Sequence, residues 1–210
     1  AHLEITAMLF ESYTDRHYYF LARDSELLYD FARLAARNNP DILSRIHLIN
    51  VSQDNMNDPH LKDYLKQEGI SEELLNSGKK IVFVDTGYNG TIPRVIAEKF
   101  SIKARGQLQT HLICSANSKH PSSRVFLSAL DPSAAKKNPL SMYWSLYHYE
   151  NMPRFTDHSR GFVYSQNRWQ AFSPISGQYD GVVSKTLAKK YQEDLRNFVL
   201  KNEEFLNKRR

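Results

Sequence analysis

The sequence predicts an α/β fold: a mostly parallel sheet with helices on both faces, followed by an extension of different character. Three observations carry this. Short apolar runs alternate with segments whose apolar residues recur at helical spacing, which is the signature of βαβ units. Each apolar run ends in a polar, turn-forming cluster. The alternation stops near residue 130. The expected architecture is a three-layer, Rossmann-like core over 1–130, with a helical and hairpin C-terminal extension over 131–210 packed on it.

The elements follow in order. Leu3, Ile5, Met8 and Leu9 give residues 1–13 an amphipathic helical pattern. "HYYFLAR", 17–23, reads as a buried strand. "SELLYDFARLAARN", 25–38, places Leu27, Leu28, Phe31 and Leu34 on one helical face and stops before Pro40. "IHLINV", 46–51, is the second strand. Asp58 and Pro59 are expected to cap and open a short helix that Gly69 ends. Ser71 opens another, closed by Gly78. "KKIVFVD" is the third strand, "TIPRVIAEKF" the next helix, "QLQTHLICSA" the fourth strand and "SRVFLSAL", 123–130, the fifth. Beyond 131 a helix is expected from Pro139, a hairpin in "GFVYSQNRWQAF" turning at Gln166 and Asn167, and a long terminal helix carrying Val183, Leu187, Tyr191, Leu195, Phe198 and Phe205.

With 210 residues, 41% hydrophobic and 24% charged, the chain can bury a sizeable core. Twelve Tyr and 11 Phe make it rich in aromatics. A net charge of +5 suits an anionic ligand and is too small to indicate nucleic acid. No apolar run has membrane-spanning length. "AHLEITAMLF" shows neither a basic leader nor a cleavage site, and begins without Met. A single Cys114 leaves no internal disulfide, so a reducing, cytoplasmic location is expected. The histidines have no zinc-type spacing.

In parallel sheets ligands bind beyond the carboxyl ends of the strands. Those ends read "ARDSELL", "VSQDN", "VDTGYNGT" and "CSANSKH", and Asp24, Asp54 and Asp85 fall in or near three of them. Capping explains each singly, because Asp, Ser and Asn are what strand-to-helix turns use. Together they suggest one cleft. In the third, Gly87 and Gly90 let successive backbone N–H groups converge at a helix start, so Thr86, Gly87, Tyr88, Asn89, Gly90 and Thr91 form a candidate phosphate cradle. The alternative is a plain turn with Thr91 as N-cap. Asp85 and Asp24 are the candidate magnesium ligands, since hard cations prefer carboxylate oxygen. Arg23 could grip phosphate with its fork of donors, or equally form an ion pair with a neighbouring carboxylate.

"IVFVDTGYNGTI" resembles the diphosphosugar-binding loop of type I phosphoribosyltransferases, and the order of strands, loops and helices over 17–116 is similar to theirs. The resemblance implies a phosphorylated sugar or nucleotide as ligand, with magnesium. The family's acidic pair stands here as Asp85–Thr86. "RDSELL" and Ser52 are also similar to haloacid-dehalogenase phosphatases, with Lys66 or Lys79 as the family's lysine. Their nucleophile position falls on Ala22, so Asp24 would have to take the nucleophilic role. The whole pattern "RDS…VS…VDTGYNGT" further resembles bacterial domains with "RDG" and "VDxGxxGT" motifs.

"RFTDHSRGF", 154–162, offers His158 as a base and Arg160 as an anion clamp if it folds over the sheet's edge; otherwise it is a solvated loop. Asp24, Asp85 and His158 are thus the candidate catalytic residues. His17, His111 and His148 are expected to be packed or exposed without a role. A third possibility is a non-catalytic domain that binds a protein partner through its aromatic, basic C-terminal region.

Overall fold

The computed structural model of the chain describes residues 15–22, 25–53, 55–85, 90–115, 123–128 and 161–172, with 193, 194 and 197. The helices expected over 1–13 and from Pro139 lie outside these residues. Of the long terminal helix only Glu193, Asp194 and Asn197 are described, each as helical.

The fold is α/β. Five strands, β1 (His17–Leu21), β2 (Ile46–Ile49), β3 (Ile81–Asp85), β4 (Leu108–Ser115) and β5 (Ser123–Ser128), form one sheet in the order β2-β1-β3-β4-β5. Every pairing in it is parallel. Between the strands run α1 (Glu26–Ala35), α2 (Pro40–Leu43), α3 (Leu61–Gln67), α4 (Glu72–Asn76), α5 (Thr91–Glu98) and α6 (Ile102–Arg105). A separate two-stranded sheet pairs β6 (Gly161–Ser165) with β7 (Arg168–Phe172).

β1 and β3 form where they do because their apolar runs are buried on both sides. All five residues of β3 are buried, as are Tyr18 to Leu21 of β1. Side chains alternate between faces. Tyr19, Leu21, Ile49, Ile81 and Phe83 belong to one face and pack in a single cluster with Leu61, Tyr64 and Leu65 of α3, Leu75 of α4, Ile96 of α5 and Ala104 of α6. Phe20 points the other way and meets Tyr29 of α1 edge-on, ring centroids 6.0 Å apart.

Local chemistry sets the helix ends. Asn39, Ser71 and Ser101 cap α2, α4 and α6 by accepting hydrogen bonds from Ile42, Leu74 and Ala104 N–H. Gly69 and Gly78 close α3 and α4 with positive φ of 82° and 98°. One boundary differs from expectation. Asp58 does not cap α3; its carboxylate accepts from the His60 N–H at 2.8 Å, and the helix begins at Leu61. Pro59 therefore belongs to the preceding turn. The short helices α2 and α6 span four residues each, too few for any periodicity to register.

The hairpin turns where expected, with Gln166 and Asn167 at φ of 51° and 61°, the paired positive angles of a type I′ turn. It docks on α3. Phe162 is buried and stacks on Tyr64 at 4.3 Å, 7° from parallel. The Gln67 side-chain amide donates to Trp169 C=O at 2.7 Å and accepts from Trp169 N–H at 2.6 Å, imitating a strand neighbour. Tyr64 in turn uses its hydroxyl to accept from Asn50 N–H at 2.8 Å, so the hairpin is linked through α3 to the end of β2.

Truncating Phe162 to Ala should cost about 3 kcal/mol in urea unfolding, the scale of an emptied aromatic site. A loss under about 1 kcal/mol, the range of surface changes, would show that the hairpin does not bear on the core.

Candidate functional site

The strands that run into Asp24, Asp54 and Asp85 are β1, β2 and β3, three neighbours in the sheet. Strand order is what local pattern leaves open, and here it brings these tips side by side. The chain leaves β1 to one side for β2 and returns on the other side as β3, so the β1/β3 boundary is the topological switch point at which open α/β sheets bind ligands.

The two tips flanking that boundary are joined directly. Ser25 precedes α1 and is wholly buried. Its N–H donates to Leu21 C=O at 3.1 Å, and its hydroxyl donates to Val84 C=O at 3.1 Å. Ser25 stands where an N-cap would, yet its side chain makes no capping bond; the hydroxyl crosses to the next strand instead. Sequence reading missed this role, because a Ser before a helical pattern signals a cap and nothing in it reveals a neighbouring carbonyl.

Asp85 follows Val84 and is 5% exposed. It lies in register with Leu112 of β4. Gly90 closes the loop in the left-handed region at φ 59° and serves as the N-cap of α5. A Cβ there would lie 3.3 Å from the Leu112 side chain. Gly90 is thus required twice over, by its backbone angle and by Leu112. Thr91 is the first residue of α5 rather than its cap; Gly90 takes the N-cap place expected of Thr91. Pro93 in the same turn has no N–H, so the helix start offers the amides of Thr91 and Ile92, together with its dipole, to an anion.

The β2 tip is closed on itself. Ser52, 2% exposed, donates its N–H to the Asn55 side-chain oxygen at 2.7 Å, while the Asn55 amide donates to Asn50 C=O at 3.1 Å. This ordered turn forms the flank of β1 away from Asp85. Arg23, Asp24, Asp54, Thr86, Gly87, Tyr88, Asn89, His158 and Arg160 lie outside the described residues.

Neither candidate lysine reaches this edge. Lys79 precedes β3 and donates to Gly69 C=O at 3.1 Å, at the opposite end of the strand. Six residues of strand put it about 20 Å from Asp85. Lys66 is exposed in the last turn of α3, close to Gly69 in sequence.

Among the described residues no group of three or more His, Cys, Asp or Glu side chains is arranged to hold a metal ion, and no helix is long and apolar enough to cross a membrane. Asp85 is the one described carboxylate that ends a strand. Magnesium commonly binds through one or two carboxylates, completing its shell with water and ligand phosphate oxygens. A single Asp85 fits that mode and does not fit a dedicated protein cage. No protein-family model matches the chain, and no curated protein matches it.

Two substitutions test the geometry. Ser25→Ala should lower stability by about 1–2 kcal/mol, the usual value of a buried hydrogen bond, and Gly90→Ala by about 2 kcal/mol through its left-handed backbone. Denaturant unfolding of each variant checks this. Unchanged midpoints would mean that the two tips are not fastened as described.

Proposed function

We propose that the chain binds a phosphorylated sugar or nucleotide together with magnesium in the cleft between the β1 and β3 tips, as a phosphoribosyltransferase-like domain. The observation that carries this reading is the Ser25 hydroxyl bonded to Val84 C=O at 3.1 Å, directly beside buried Asp85. It ties Ser25, the residue after Asp24 in sequence, to the strand that ends in Asp85, at the switch point of a parallel sheet.

In this reading Asp85 holds the ion, directly or through water. The backbone from Gly87 to Thr91 cradles phosphate, with Arg23 and Asp24 as the opposite wall. Magnesium would neutralise the ligand's charge. His158 and Arg160 would close the cleft as base and anion clamp. A doubly wound, three-layer core belongs to the same reading, supported by the α1 contact at Phe20 on one face and the helix cluster on the other. Thr86 supplies a hydroxyl where the resembled family carries a second carboxylate, so the case for binding is stronger than the case for transfer.

A second reading is favoured by one observation: β1 lies between β2, which leads to buried Ser52, and β3, which ends in Asp85. A haloacid-dehalogenase-like phosphohydrolase using Asp24 as nucleophile needs a hydroxyl on one side and an acid on the other. Lys79 at the far end of β3 weighs against it.

Thermal unfolding with magnesium and phosphoribosyl diphosphate, nucleotides, sugar phosphates or phosphate separates these readings. A ligand at 100 times its Kd adds about 2.7 kcal/mol and should raise the midpoint by roughly 5–10 °C. The magnesium-dependent part of that rise should vanish in Asp85→Asn. Phosphate release from a sugar phosphate, lost in Asp24→Asn, would select the hydrolase instead. No rise with any ligand, or equal rises in parent and Asp85→Asn, would overturn the binding reading.

A further inference from the structure

At the end of the sheet opposite the cleft, two imidazoles meet. His17 opens β1 and His47 lies in β2, on the face that carries Tyr19. His17 Nδ1 and His47 Nε2 are 3.0 Å apart, and the rings are stacked with centroids 5.3 Å apart. Tyr19 stacks on His47 at 4.5 Å. A hydrogen bond between two ring nitrogens uses one N–H and one lone pair, so at least one ring must be neutral.

The surroundings discourage any charge there. Burial, with the positive charges of Lys79 and Arg45, holds His17 down to about 4. Burial, then His17 and Lys79, does the same for His47. The Lys79 ammonium is itself fixed to Gly69 C=O at 3.1 Å. Glu68, just past α3, supplies its backbone carbonyl to the Tyr19 hydroxyl at 3.0 Å, and burial raises its carboxyl's pKa, making it a poor counter-ion. Burial likewise pushes the Tyr19 phenol up, so it stays neutral. Asp15 is already paired, with Lys80 at 2.6 Å and Arg16 at 3.8 Å.

What this pair fastens is an edge. β2 is four residues long, ends the sheet, and pairs there with β1. We propose that the His17–His47 pair is an acid-sensitive clasp on β2, closed while at most one ring carries a proton and opened when both do. The turn at Ser52 and Asn55 follows the other end of β2, so opening the clasp loosens the flank of the cleft.

The direction follows from linkage. A histidine held below its ordinary value of 6.5 binds protons less readily folded than unfolded. Its contribution to stability is complete above about pH 6.5 and is lost as the pH falls towards 4. The proposal does not depend on what the cleft binds.

Histidine-resolved NMR titration, with amide exchange of the β1–β2 ladder at pH 7.5 and 4, tests it in the parent and in His47→Phe. Phe keeps an aromatic ring against Tyr19 and removes a proton site. Both parent rings should titrate below pH 5. Protection of the Tyr18 and Ala22 amides, which donate to Arg45 and Ile49 C=O, should fall by at least about tenfold after correction for intrinsic rates. In His47→Phe, which keeps His17 alone, the fall should be at least threefold smaller than in the parent. Either parent ring titrating near 6.5, or an equal fall in the variant, would overturn the proposal. If His47→Phe does not fold, the parent titration decides alone.

Discussion

A parallel strand cannot be joined to its neighbour by a tight turn, so in a parallel sheet the chain must cross back to the same edge before each new strand. That constraint collects all the strand-to-helix turns at one end. It also leaves their backbone ends to be satisfied by short polar side chains. Ser25, Ser52, Asn55 and Asp85 stand there because each strand must hand over to a turn in a place already crowded by its neighbours. The bond from Ser25 to Val84 C=O is the tightest expression of this. It fastens two tips that are 59 residues apart in sequence.

The same sheet separates two kinds of chemistry. At its carboxyl edge the polar groups lie in turns, with glycine at Gly90 giving the backbone room. At its amino edge polar side chains are drawn onto the packed face itself. His17, His47 and Tyr19 stack there, and half-burial keeps the imidazoles neutral. Lys79 belongs to this end, where it donates to Gly69 C=O.

Much of the fold was legible in sequence because the strands are buried on both sides and read as unbroken apolar runs: Tyr18 to Leu21 and Ile81 to Val84. The hairpin was legible because Gln166–Asn167 sits between alternating segments. What escaped detection was either too short to register or depended on partners distant in sequence. α2 and α6 are single turns held by their caps. Asp58 sits where a cap is expected and bonds a turn instead, because α3 starts only where Leu61 can enter the core. Of the site, Asp85 and the glycine at 90 were readable as the end of a strand and the start of a helix. Ser25 was not, since its acceptor lies on β3. The adjacency of the β1, β2 and β3 tips was not either, because strand order is a property of the whole sheet.

The central claim is that the β1 and β3 tips form one cleft for a phosphate-bearing ligand and its metal. Manganese, which replaces magnesium at oxygen sites and broadens nearby NMR signals, tests this without reference to turnover. Added in trace amounts with phosphoribosyl diphosphate, it should selectively broaden the amides of Ser25, Val84, Asp85, Gly90 and Thr91. Those of His17, Lys79 and Trp169 should stay sharp. Broadening spread evenly over the chain, or centred at the amino edge of the sheet, would contradict the account.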